Sequence, residues 1–165
     1  MHVQALDWVT RQTVGLGPVT VLEIGSLDIN GGVRGLFDAT HYHGLDLAAG
    51  PGVDEVADAA DWQPARTYDV VVSTEVLEHA PRWRDVLANA WAGVAAGGRL
   101  LMTCATDPRA PHSAIDGWDV RPGEHYANVA PADVRAVVDD WGTAGWSLEV
   151  ARDRGDLYLR VDKPI

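Results

Sequence analysis

The run Val19-Thr20-Val21-Leu22-Glu23-Ile24, stopped by Gly25, restricts this chain more than any other segment. It is apolar almost throughout and rich in β-branched residues. A strand of that kind is central to a sheet and covered on both faces, which calls for packing layers on each side. A second apolar run, Tyr42-His43-Gly44-Leu45-Asp46, ends in an acidic residue 21 positions after Gly25. In a parallel sheet both acidic strand ends lie at the carboxyl edge, where α/β proteins bind their ligands. The pairing suits a small molecule that carries a ribose.

The remaining segments repeat the strand–helix order. Residues 2–12 read as a short lead-in helix, broken by Gly15-Leu16-Gly17-Pro18. After Gly31-Gly32, Val33 to Phe37 is a short helix candidate, and Tyr42 to Leu47 is the second strand. Val53 to Val56 is a short third strand or an edge segment, and Tyr68 to Ser73 is a buried strand built on Val70, Val71 and Val72. Trp83, Val86, Leu87, Ala90, Trp91 and Val94 recur at helical steps, which predicts a helix over 82–96, ended by Gly97-Gly98. Arg99 to Cys104 is the next strand. Residues 105–130 are irregular, and a loop of that length in a compact domain is more often functional than inert. A helix over 131–141 opens on Pro131. Trp146 to Arg152 and Leu157 to Val161 close the chain as a hairpin. The expected architecture is one α/β domain over 1–165: a three-layer sandwich with a mostly parallel sheet and a C-terminal antiparallel strand pair.

Composition narrows the function. The net charge is -11 with only 13 Lys and Arg, so a broad nucleic-acid surface is not expected. No run of 18 apolar residues is present, and the first residues show no basic segment followed by an apolar one. Neither a membrane partner nor a secretory signal is expected, and the chain reads as cytoplasmic. The one cysteine, Cys104, excludes an internal disulfide and reads as a small buried residue.

The glycine turn matches neither a Walker loop nor G-x-G-x-x-G, because Leu27 and Ile29 fall where glycine would be needed. Glu23-Ile24-Gly25 followed by Gly31, with Asp46 closing the second strand, instead resembles the cofactor site of class I S-adenosylmethionine-dependent methyltransferases. Asp58-Ala59-Ala60-Asp61-Trp62 resembles that family's adenine segment, Asp69 to His79 its fourth-strand motif, and Ala96 to Met102 its glycine turn and fifth strand. The resemblance spans residues 19–104 and implies a Rossmann-like fold that binds S-adenosylmethionine. It implies that Glu23 orients the glycine loop or holds the methionine amino group, and that Gly25 lets backbone approach the cofactor. Ser26 belongs to the same turn. Asp46 would accept from the ribose hydroxyls, with Leu47 beside the base. Asp58 and the Ala59 N–H would meet the adenine, and the Ser73 carbonyl would lie near the methionine. Trp62 either covers the adenine or fills a helix–sheet gap. Leu27 replaces the second glycine of the usual turn, and the loop is expected to be rebuilt around Asn30.

Methyl transfer asks a protein to align the acceptor and exclude water, with a base where the acceptor must lose a proton. His79, just past the fourth strand, is either that base or a brace for the loop before Pro81. Glu78 reads as solvent-exposed. His112 and His125 are candidates for acceptor contact, and Trp118 is either an aromatic wall or a loop anchor. No H-E-x-x-H or other close ligand spacing is present, so no metal is expected. The reading is methyl transfer to a small-molecule acceptor. The alternatives are a binding protein that has lost catalysis, or a subunit that needs a partner, with a homodimer as its simplest form.

Overall fold

The computed structural model describes residues 2–165; Met1, the first residue of the expected domain, lies outside them. Helix α1 (Val3–Thr13) precedes strand β1 (Val19–Ile24), a 3-10 turn (Arg34–Leu36) and β2 (Ala39–Asp46). The short β3 (Glu55–Val56), then β4 (Tyr68–Thr74), a second 3-10 turn (Leu77–His79) and helix α2 (Trp83–Ala92) follow. The chain closes with β5 (Val94–Ala105), α3 (Pro131–Asp139), β6 (Gly145–Ala151) and β7 (Asp156–Asp162). The strands form one seven-stranded sheet in the order β3-β2-β1-β4-β5-β7-β6. All pairs are parallel except β7, which inserts antiparallel between β5 and β6.

Two apolar cores lie on opposite faces of this sheet. On one face Val86, Leu87 and Ala90 of α2 and Val134 and Val138 of α3 meet Leu22, Val71, Leu100 and Leu159. On the other, Trp8 and Val9 of α1 meet Val21, Val70, Val72 and Leu101. Adjacent residues of one strand thus feed opposite cores, because side chains alternate across the pleat. That is why β1 and β4 read as continuous apolar runs. The expected three-layer sandwich is therefore present, though on the α1 face the β1–β2 crossover is only a 3-10 turn. Trp8 is buried in its core, and Trp141 stacks on Trp91 with centroids 4.9 Å apart. No helix among the described residues is long and apolar enough to cross a membrane.

The expected helix over 82–96 ends earlier. Gly93 stops it, because its carbonyl accepts from Tyr68 N at 2.8 Å and Val94 already pairs with Tyr68. Helical periodicity continued through Val94, but a strand pairing formed elsewhere in the chain overrides it. Gly97-Gly98 instead form a bulge within β5, where the register jumps from Tyr68↔Val94 to Val70↔Arg99. Gly97 sits at φ +75°, and a Cβ on Gly98 would lie 2.8 Å from the Asp69 carbonyl and 3.1 Å from that of Tyr68.

Gly98→Ala must therefore displace backbone. It should destabilise the fold by about 1–3 kcal/mol in urea unfolding. Gly17→Ala, with nothing within 4 Å of its added carbon, should stay within about 0.5 kcal/mol of the parent. Equal effects would refute the bulge geometry.

Candidate functional site

β1 lies between β2 and β4, so the strand order reverses beside it and a crevice opens at the carboxyl ends. A cleft of about 860 Å³ occupies that crevice. Its floor is the turn after β1. Gly25 adopts φ +81°, and a Cβ there would collide with Val76 Cγ2. Glycine is required on both counts. Gly25 N and Ser26 N both donate to the Leu45 carbonyl, at 2.8 and 3.1 Å. Ser26 is buried, lines the cleft, and its Oγ has no hydrogen-bond partner among the described residues.

Leu27 is accommodated by the neighbouring loop. A Cβ on Gly50 would strike Leu27 Cδ1, and a Cβ on Gly52 would lie 2.5 Å from the Ser26 carbonyl. The space that a second glycine would leave in the turn is supplied by these two glycines opposite. Asp28 organises the turn. Asp28 N donates to Pro51 O at 2.9 Å, and Asp28 Oδ1 accepts from Gly31 N at 2.7 Å. Sequence alone offered two residues with the same capacity to bond nearby backbone. Asn30 lines the cleft.

Asp46 ends β2 and is held by backbone. Oδ2 accepts from Leu27 N and Oδ1 from Ala48 N, both at 3.0 Å. Each oxygen keeps a lone-pair site for a ligand. Glu23 is 5% exposed and accepts from Tyr42 Oη at 2.7 Å. Burial raises its carboxyl above the ordinary range, and the Tyr42 bond opposes that rise. Asp58 Oδ1 accepts from Ala60 N at 2.8 Å, and Asp58, Ala59 and Leu47 all line the cleft.

Three expected site residues are not brought to the cleft. Trp62 donates from Nε1 to Glu55 at 2.9 Å and stacks on His43 at 6.1 Å, so it packs against β2 and β3. Ser73 is fully buried in the ladder between Ile24 and Met102. His125 is exposed. The cleft lining includes none of the three.

His79 and His112 do line it, with ring centroids 5.1 Å apart and both edge-on to Tyr126. Burial lowers the His79 imidazole, with His112 adding to the effect, so the ring stays neutral near pH 7. Glu78 was expected in solvent and is fully buried. The 3-10 turn points it inward, where burial, and then Glu75, push its carboxyl well up. Trp118 is 78% exposed and lines the cleft, so it does not anchor the loop to the core.

The sequence reading missed His2 and Arg109, which line the cleft together with Glu75. Glu75 adopts φ +57°, the one non-glycine residue with positive φ among the described residues. Its side chain accepts from Thr103 Oγ1 at 2.8 Å and pairs with His2 at 3.3 Å. Burial alone would raise this carboxyl, but His2 and Thr103 outweigh it and hold it below its usual range. Arg109 pairs with the buried Asp156. His2 and Arg109 reach the cleft through ion pairs with Glu75 and Asp156, distant in sequence, which no residue-type pattern reveals.

A family model described as a methyltransferase domain matches residues 19–147. No curated protein matches the chain by sequence. Among solved structures, DhpI in complex with SAH is 24% identical over 98% of this chain and 83% of that one, with a TM-score of 0.68. The N-methyltransferase NodS of Bradyrhizobium japonicum WM9, with S-adenosyl-l-homocysteine, is 17% identical over 98% and 87%, at 0.68. The phosphoethanolamine N-methyltransferase 2 of Haemonchus contortus, with S-adenosyl-L-methionine, is 15% identical over 98% and 52%, at 0.70. These likenesses show a shared fold.

The turn geometry makes a separable prediction. Gly25→Ala should cost about 1–3 kcal/mol, from left-handed strain and the collision with Val76. Adding Val76→Ala should recover the collision part and leave the strain, giving a non-additive double-mutant cycle in denaturant unfolding. Simple additivity would show that the two residues do not touch.

Proposed function

The chain belongs to the methyltransferase domain family, so its reaction class is methyl transfer, and within that class we propose S-adenosylmethionine as the donor and a small molecule as the acceptor. The observation that carries this reading is the cleft floor. There the Gly25 turn lies beside two strand-end carboxylates, Glu23 and Asp46, with the unpartnered Ser26 hydroxyl between them in sequence. The donor set matches the group: a carboxylate for a ribose diol, an open backbone turn for the amino-acid end, and Asp58 with Ala59 for the base edge. When bound, S-adenosylmethionine supplies an electrophilic methyl group on a sulfonium.

The protein's part is alignment and exclusion of water. Tyr42 fixes Glu23 in one rotamer through its hydrogen bond. Leu27 N and Ala48 N fix Asp46 likewise, so little side-chain entropy is lost when a ligand hydroxyl arrives. Ile29, Leu47, Ile115 and Trp118 are exposed apolar side chains that all line this cleft. Exposed apolar surface gathered at one mouth marks a binding site. Trp118 and Ile115 come from the 105–130 loop and line the cleft with the turn residues, which supports a small acceptor. His79 and His112 form the acceptor wall. The net charge of -11 weighs against a polyanionic acceptor.

Calorimetry with S-adenosylhomocysteine tests the donor. The folded protein should bind it, and Asp46→Ala should weaken binding about tenfold to a hundredfold, the cost of removing a charged acceptor. Trp62→Phe should leave affinity within about twofold, because Trp62 lies outside the cleft. No binding by folded protein would overturn the proposal, and unchanged affinity in Asp46→Ala would remove that residue from the site.

A further inference from the structure

Glu78 is a carboxylate that the reading above does not use. It is 0% exposed, and neither oxygen has a hydrogen-bond partner among the described residues. Burying such a group unpaired is costly, and a native protein seldom does so without a reason. Two imidazoles beside it can offer lone pairs as well. The Nδ1 of His79 is buried and also without a partner. One donor atom from each of Glu78, His79 and His112 lies within 4.8 Å of the other two. Three ligand atoms thus converge, and the backbone amides of Glu78 and Ala105 beside them do not offset the burial of the carboxylate.

We infer that Glu78, His79 and His112 form a site for a late first-row divalent cation such as Zn²⁺, open to the cleft. Two imidazoles and one carboxylate are a donor set for such ions rather than for Mg²⁺ or Ca²⁺, which take oxygen ligands. Bonds of about 2.1 Å in a tetrahedral site set donor atoms about 3.4 Å apart, so small side-chain rotations close the observed spacing. His112 is already set for the role. Its Nδ1 lies 3.1 Å from the Ala110 carbonyl, which places the proton on Nδ1 and leaves Nε2 with a free pair. A backbone partner of that kind orients a ligating imidazole. Tyr126 packs edge-on to both rings and restricts their rotation.

Three protein ligands leave a coordination position unfilled, as in catalytic rather than structural zinc sites. Since His79 and His112 line the cleft, that position faces the acceptor. The acceptor class is then one that presents an oxygen donor, a hydroxyl or a carboxylate, to the cation. This last step rests on the methyl-transfer reading; the cation site does not.

The full chain, stripped with chelator, is titrated with Zn²⁺ by calorimetry and with Co²⁺ by visible absorption. One equivalent should bind, with the Co²⁺ bands of a site that contains nitrogen ligands. His112→Ala and Glu78→Gln should each weaken binding at least tenfold, while His125→Ala, outside the cleft, should not change it. His112 sits in an irregular loop, so its variant decides the matter if Glu78→Gln fails to fold. Absence of stoichiometric binding, or equal binding by parent and His112→Ala, overturns the site. S-adenosylhomocysteine affinity is read on the same samples. Its absence with the cation bound would sink the donor proposal alone, and the reverse result would sink only the cation site.

Discussion

The carbonyl of Leu45 accepts from two consecutive amides, Gly25 N and Ser26 N, and the cleft depends on that one anchor. It ties the end of β1 to the penultimate residue of β2. The turn therefore leaves the sheet sideways instead of running on into a helix. The packing around it is backbone against backbone. A Cβ on Gly44 would collide with the Gly52 carbonyl, and one on Gly52 would lie 2.5 Å from Ser26 O. Side chains can rotate out of the way of a larger neighbour, but carbonyls in a sheet cannot. This is why three separated glycines are needed to seat one turn, and why Asp46, one residue after Leu45, arrives fixed at the cleft.

The same anchor explains how the chain dispenses with the second glycine of the turn. Leu27 needs room, and Gly50 provides it from across the cleft edge. Asp28 then closes the turn with its own side chain on Gly31 N. The glycine requirement has moved from one loop to the loop that faces it. A motif search along the chain sees only a missing residue, whereas the packed pair conserves the clearance.

What could be read from sequence follows from what is local. β1 matched its expected bounds of Val19 and Ile24 because its burial on both faces appears directly as continuous apolar character. Asp46 and Glu23 could be placed at the cleft because a strand end fixes the position of its last residues. The errors came where distant contacts decide. The helix after Pro81 ended at Gly93 because Tyr68 captured that carbonyl. Trp62 turned toward His43 and Glu55 instead of the cleft, a choice set by its hydrogen bond to Glu55 and its stacking on His43 of β2. Glu78 and His79 are adjacent, and whether either faces solvent depends on the 3-10 turn and on the 105–130 loop that covers it. That loop is held by Ala127 N on the Glu78 carbonyl and Val129 N on the Ala105 carbonyl, bonds with no sequence signature.

The two acidic residues after β4 show how differently one environment can treat the same chemistry. Glu75 is compensated: Thr103 donates to it, His2 reaches it from the N-cap of α1, and Arg109 lies close enough to favour its charge. These partners come from three separate parts of the chain, and Arg109 and His2 also meet at Asp156, the first residue of β7. The lead-in helix, the irregular loop and the final hairpin are thus fastened to one another by charge beneath the cleft. Glu78 is compensated less. Glu75 raises its carboxyl further, and the backbone amides of Glu78 and Ala105 and the charge of Arg109 do not offset its burial. A buried carboxylate so placed keeps its proton or gains a cation, since a bare anion there would face both desolvation and like charge. The left-handed backbone of Glu75 separates the two side chains, sending one to the charged network and leaving the other to the histidines. Strain at that residue is therefore what divides the end of β4 into a fastened side and an unfilled one.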